Sequence, residues 1–242
     1  MAPAFVSSEG EEAAGPVGAS FEVGPLSRNC TRASARLHLE VLGTEFLARG
    51  GERFLRLYHR AWCESPAGLA LAAVDASGEL AGVLLGTLEP AAHYRSMARR
   101  HGFGLALCLL GHALTHPRFA KELLVTRAVR YARGAVRVMA RRPAPTRGTA
   151  PEEGPEEGPE GKEGEITHLM VAPSARGAGV GKALVHEALR AAEAAGIEQV
   201  VLVTRPELAS GGFYLHLGWL PYGEVTSRSG EHFVRYKWSL RT

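Results

Sequence analysis

Residues 166–189 read ITHLMVAPSARGAGVGKALVHEAL, and this stretch decides the fold. Its start continues a strand predicted over Glu165 to Val171. Its end lies in a helix predicted over Gly179 to Ala195, with Gly196 as a good residue to stop it. Between them lies Arg176-Gly-Ala-Gly-Val-Gly-Lys182. Three glycines in five positions let a ligand approach the backbone without Cβ obstruction. The helix that follows leaves its first N–H groups unpaired. Those donors and the helix dipole favour an anion by up to about 2 kcal/mol before any side chain is counted. Arg176 and Lys182 add positive charge, so the ligand wanted here is a phosphate or pyrophosphate.

Three phosphate-binding patterns compete for this loop. A P-loop requires glycine at the position of Arg176 and Ser or Thr at that of Ala183, so it fails. A dinucleotide fingerprint read from Gly177 puts Lys182 at its last glycine, and read from Gly179 it puts Leu184 there, so it fails as well. What is left is R-x-x-G-x-G/A, met by Arg176, Gly179 and Gly181.

On these residues the stretch resembles the cofactor motif of the GNAT family of N-acetyltransferases. The resemblance continues through a strand at Val200 to Val203, the pair Phe213-Tyr214, and Gly218-Trp219. It is specific over residues 165–220, weaker over Leu69 to Thr87, and very weak over 89–142. It implies an α/β fold, a GNAT-like central mixed sheet flanked by helices with a helical insertion. It also implies transfer of an acetyl group from acetyl-CoA to a primary amine by direct attack.

The resemblance assigns parts. The backbone of Leu169, Met170 and Val171 is expected to hold the pantetheine arm and the acetyl carbonyl. Arg176, Gly177, Ala178, Gly179, Val180, Gly181 and Lys182 are expected to hold the pyrophosphate. Tyr214 maps onto the tyrosine that faces the departing thiolate, as general acid or as a ring packed on the cofactor. Glu165 is the candidate base, against the alternative of a solvated carboxylate; Thr167 cannot serve. Strand alternation puts Glu165, Thr167, Leu169 and Val171 on one face and sends His168, read as a core or surface histidine, to the other. Many family members carry Asn seven residues before the tyrosine, where this chain has Glu207.

Working outward, two helices are predicted over Ala33 to Leu47 and Gly51 to Cys63. A strand, turn and strand follow over Leu69 to Thr87, with Asp75 to Gly78 as the turn. Glu89 to Arg142 reads as a helical insert interrupted near Pro117. After β-branched Gln199 to Thr204, a short helix over Leu208 to Leu217 and a final strand pair around residues 227–230 complete the pattern. Residues 1–20 and the acidic stretch 143–164, whose core is PEEGPEEGPEG, are expected to be disordered. The remainder, 21–242, is expected to form a single N-acetyltransferase domain.

The bulk numbers are compatible with that reading. The 242 residues are 45% hydrophobic and 22% charged, which supplies a sizeable core. Cys30, Cys63 and Cys108 have no metal-ligand spacing and read as free thiols in a reducing compartment. No export signal is visible and no apolar run is long enough for an integral membrane segment, so a cytoplasmic protein is expected. No metal site is expected. Arg127, Arg130, Arg133, Arg137 and Arg141 fall along one helical face. That face is either simply solvated or meets an anionic partner, a membrane surface or the acidic stretch. Nucleic acid is not expected, because no aromatic platform accompanies the arginines. The acceptor is left open as a small-molecule or peptide amine, and a homodimer is left open too. A non-catalytic acyl-CoA sensor or interaction protein is the alternative function.

Overall fold

A computed structural model describes residues 20–122, 162–206, 212–226 and 232–240. Seven strands form one sheet in the order β1-β2-β3-β4-β5-β7-β6. The strands are β1 (Phe21–Pro25), β2 (Gly68–Asp75), β3 (Leu80–Thr87), β4 (Glu163–Val171), β5 (Gln199–Thr204), β6 (Leu220–Thr226) and β7 (His232–Ser239). Only β4 and β5 run parallel; every other neighbouring pair is antiparallel. The mixed sheet with flanking helices is therefore the architecture expected.

Helices cover both faces. On one lie α1 (Thr31–Leu42), α2 (Gly51–Glu64) and α3 (Pro90–Thr115), with short α4 (Pro117–Glu122) following α3. On the other lie α5 (Val180–Ala194) and the single turn α6 (Phe213–His216). The amphipathic pattern explains the placement of α2. Phe54, Leu55, Tyr58, His59, Ala61 and Trp62 are buried, while Arg53, Arg56 and Arg60 point outward. In α5 the buried set is Val180, Leu184, Val185, Ala188, Leu189 and Ala192. Helix α5 approaches the sheet over Gly82 of β3. A Cβ there would lie 2.8 Å from Val180 Cγ1 and 3.0 Å from Leu184 Cδ1.

Several boundaries differ from expectation. Strand β1 is not legible in the sequence, because five residues ending in Pro25 carry too short an alternation. It forms only by adding to the edge of β2, Phe21 opposite Asp75 and Pro25 opposite Leu71. Helix α1 stops at Leu42, short of the expected Leu47, at Gly43. Strand β4 starts at Glu163, so the end of the expected linker 143–164 is sheet, paired with Gln199 and Val200. Strand β6 begins at Leu220, well before Val225. The arm 1–19, the insert beyond Glu122, the arginine face 127–141, most of the acidic stretch and Glu207 lie outside the described residues.

Candidate active site

The site is built where two neighbouring strands part. Strand β4 pairs with β5 from Glu163 opposite Gln199 only as far as Ile166 opposite Leu202. Beyond that point β4 continues to Val171 against β3 alone, and β5 continues to Thr204 against β7 alone. Val203, on the β5 side of the opening, is 48% exposed. A parallel pair that opens in this way leaves backbone donors and acceptors on the edge of β4 without a strand partner among the described residues.

Which β4 residues face the opening follows from the ladder on the other side. The Ala172 N–H donates to Ala81 O at 2.9 Å. Antiparallel alternation then engages Met170 with Val83 and turns the N–H and C=O of Leu169 and Val171 away from β3, into the gap. Of the three expected backbone contacts, Leu169 and Val171 are therefore presented to a ligand, while Met170 holds the strand to the sheet.

The free edge runs directly into the glycine loop. After Val171 the chain makes a turn at Pro173–Ala175 and enters α5 through Arg176–Gly179. Gly177 and Gly179 adopt φ of 78° and 82°, which other residues enter only with strain. Nothing lies within 4 Å of a Cβ placed at either, so their surroundings are open. Gly181 serves differently: a Cβ there would meet Phe213 Cζ at 3.3 Å and Val171 Cγ2 at 3.4 Å. The first helical bond closes from Ala183 N to Gly179 O at 3.0 Å. The N–H groups of Val180, Gly181 and Lys182 precede it, no side chain caps them, and the first turn holds no acid. Arg176 and Lys182 are exposed at the same corner, and Ala178 is half-buried.

Tyr214 sits in α6 beneath this loop, 8% exposed, its ring against Phe213, Trp219 and Tyr236 at 5.0, 5.9 and 5.6 Å. Burial raises its phenol pKa well above the ordinary tyrosine value, and Tyr236 adds to the effect. The hydroxyl therefore keeps its proton through the neutral and moderately alkaline range.

The expected face assignment of β4 holds for Leu169, Val171 and His168 but not for Glu165, and the reason is a bulge. Leu85 pairs with His168 and Gly86 with Ile166, so Thr167 is an extra residue without an opposite number. Alternation reverses across it. Ile166, Leu169 and Val171 pack on the α5 face, whereas His168 and Met170 face α1 and α2. Glu165, opposite Thr87, falls on the same side as His168. It accepts hydrogen bonds from the hydroxyl of Tyr94 in α3, at 3.3 and 3.4 Å. The Oγ1 of Thr167 is buried and without a hydrogen bond among the described residues.

His168 is the core histidine anticipated, but it does not stand alone. Its Nε2 meets Tyr58 Oη at 3.1 Å. His38 lies against it, ring centroids 5.0 Å apart, and His38 Nδ1 meets His59 Nε2 at 3.0 Å. His59 Nδ1 in turn meets Ser34 Oγ at 2.5 Å. Burial holds His38 down at about 4. His59 falls to about 3, through burial and then the neighbouring His38. His168 is lowered well below its usual value for the same reasons. His93, stacked on Trp62 at 3.9 Å, is lowered to about 4 by burial. Sequence reasoning missed this assembly because its members come from α1, α2, α3 and β4. The only local signal is histidine on the apolar faces of α1 and α2.

The three cysteines are unpaired and half-buried. Burial raises the Cys63 thiol to about 11, so it is not an activated nucleophile. No group of His, Cys, Asp and Glu among the described residues is arranged to hold a metal.

Residues 146–219 match the model of the Acetyltransferase (GNAT) family. No curated protein matches the sequence. Among solved structures, the chain is similar to a Drosophila melanogaster polyamine N-acetyltransferase that catalyses the formation of N-acetylagmatine. That likeness is at 13% identity and TM-score 0.52, covering 91% of this chain and 100% of that one. It is also similar to a histone acetyltransferase HPA2-related acetyltransferase from Corynebacterium glutamicum, at 20% identity and TM-score 0.52, covering 90% and 95%. The ribosomal-protein-S18-alanine N-acetyltransferase of Escherichia coli is a third, at 10% identity and TM-score 0.52, covering 92% and 96%. The fold is thus that of the GNAT acetyltransferases.

Proposed function

We propose that this chain is an acyl-CoA-dependent N-acyltransferase that moves the acetyl group of acetyl-CoA directly to a primary amine. The observation that carries the reading is the continuous path from the free edge of Leu169 and Val171 to the uncapped start of α5. An extended pantetheine arm would add to β4 as a short strand. Its pyrophosphate would then reach the N–H groups of Val180, Gly181 and Lys182, with Arg176 and Lys182 alongside. The loop from Arg176 to Gly179 gives the backbone room to do this.

The chemistry asks for three things. An alkyl amine with a pKa of about 10 must lose a proton, a penalty of order 4 kcal/mol at neutral pH. The neutral nitrogen then attacks the thioester carbon. A backbone N–H on the open edge of β4 stabilises the resulting oxyanion. The attacking nitrogen, positively charged in the tetrahedral intermediate, gives its second proton to water as the carbon–sulfur bond breaks, so the neutral amide forms and the CoA thiolate leaves. Tyr214, which keeps its proton, donates a hydrogen bond to that sulfur. Because the phenol is a weaker acid than a thiol, this support is a hydrogen bond, and the departing thiolate takes its proton from water.

Glu165 is the proposed proton acceptor. Four residues of strand separate it from Leu169, about 13 Å of chain. It therefore acts through an intervening water, with Tyr94 fixing its orientation.

Calorimetric titration with acetyl-CoA tests the cofactor, and a screen of amines for CoA release tests the reaction. Absence of binding at millimolar acetyl-CoA removes the reading. Binding without CoA release from any amine leaves an acyl-CoA sensor in its place.

A further inference from the structure

Helix α3 is apolar on two opposite sides, and only one of them is covered. Toward α2 it buries Met97 and packs Leu105, Cys108 and Leu109 against the core. On the far side Phe103, Leu107, Leu110 and Leu114 are 83%, 57%, 56% and 80% exposed. Their spacing of four, three and four residues confines them to an arc of about 60° on the helix. Helices with apolar residues all round are normally covered on every side. No described helix is long and apolar enough to cross a membrane, so the stripe is not part of a span.

Charge selects what covers it. From Pro90 to Arg142 the sequence carries eleven Arg and Lys and one acid, Glu122, a formal +10. The whole chain has +3, so the remainder has −7. Arg99 and Arg100 are exposed on either flank of the stripe, and Arg118 and Lys121 are exposed on α4. A second copy would bring like charges together across this face. The basic stretch that follows Glu122 would do the same, and the acidic core beyond it, PEEGPEEGPEG, offers charge but no large apolar side chain to cover the stripe. An anionic lipid surface satisfies both features, since it accepts apolar side chains beneath its headgroups and attracts the arginines around them.

We infer that the outer face of α3 lies on an anionic membrane surface, inserting Phe103, Leu107, Leu110 and Leu114 between lipids. The second turn of the same helix holds Tyr94 against Glu165. Docking would therefore place the candidate acceptor side about 14 Å of helix from the lipid contact.

The test is co-sedimentation of the full chain with vesicles of phosphatidylcholine, with and without phosphatidylglycerol. Expected is binding to the anionic vesicles alone, weakened by salt. The pair Phe103→Ser and Leu114→Ser should reduce partitioning about tenfold or more. Both side chains are exposed, so the circular dichroism spectrum should not change. In a Phe103→Trp variant, emission should shift to the blue on adding anionic vesicles. Failure to bind, or no spectral shift, overturns the inference. Binding that survives loss of Phe103 and Leu114 is charge attraction only and overturns it too. So does a dimer in sedimentation velocity that the same pair dissociates.

Discussion

The two faces of the sheet are built from different materials. The α5 face is closed by aliphatic residues together with Tyr214, Trp219 and Tyr236. The α1–α3 face holds buried polar groups amid its apolar ones: Ser34, His38, His59, Thr87, His93 and His168. In the proposed function the first face carries a backbone site, in which main-chain donors of β4 and α5 would do the binding while side chains pack. On the second, side chains meet in pairs: Tyr94 donates to Glu165, Tyr58 meets His168, and His38 meets His59. A backbone site needs its strand and helix held in place. A side-chain site needs protonation states held as well.

The largest expected effect follows from that difference. His38, His59, His93 and His168 all have folded-state pKa values below the ordinary histidine value. The unfolded chain therefore takes up protons first as pH falls through about 6.5, and folding stability declines from there toward pH 4. Protonating a buried ring such as His38 costs on the order of 2 kcal/mol at pH 5, so these groups should remove a large share of an ordinary domain stability of roughly 5–15 kcal/mol. Urea unfolding at pH 7.5 and pH 5 measures this. Equal stability at both would erase the contrast between the faces.

Next in size is Tyr214→Phe, which removes one donor from the leaving sulfur and keeps the packing. Activity should fall about 100-fold with acetyl-CoA affinity unchanged. No alkaline limb from this phenol should appear below pH 10 in the wild-type profile. A variant with full kcat would make Tyr214 a packing residue like Trp219.

Gly179→Val then probes the backbone site. It forces a branched side chain into a left-handed conformation and disorganises the start of α5. Loss of an anion site of about 2 kcal/mol predicts roughly 30-fold weaker acetyl-CoA binding by calorimetry, with the pH dependence of stability untouched. The smallest effect is expected for Tyr94→Phe. It should lower kcat several-fold and leave acetyl-CoA affinity alone, which sharpens the assignment of the acceptor to the α1–α3 face. A change in cofactor affinity would place Tyr94 with the other site.

The backbone site was legible because it is local. Val171, Arg176, Gly179, Gly181 and the end of α5 at Gly196 lie within about one strand and one helix of each other in the chain. Each carries a conformational signature of its own. The same holds for Tyr214, tied to Trp219 by a short turn whose N–H closes on Tyr214 O at 3.0 Å. The α1–α3 face was not legible. Tyr58 and His168 are 110 residues apart. Nothing in either neighbourhood marks the other.

What the sequence determined by itself is the order of the elements after β1, the glycine loop and the amphipathic face of α2. These follow from turn chemistry and periodicity, which act over a few residues. Tertiary structure alone decided three things. Pairing with β3 inserted the bulge at Thr167, which moved Glu165 from the face of Leu169 to that of His168. Parting from β5 after Ile166 freed the edge that a cofactor arm would need. Docking of α3 on α2 left Phe103, Leu107, Leu110 and Leu114 facing outward. All three depend on which strands and helices become neighbours. Side-chain alternation holds only while the ladder is regular, and an apolar residue is buried only if another element arrives to cover it.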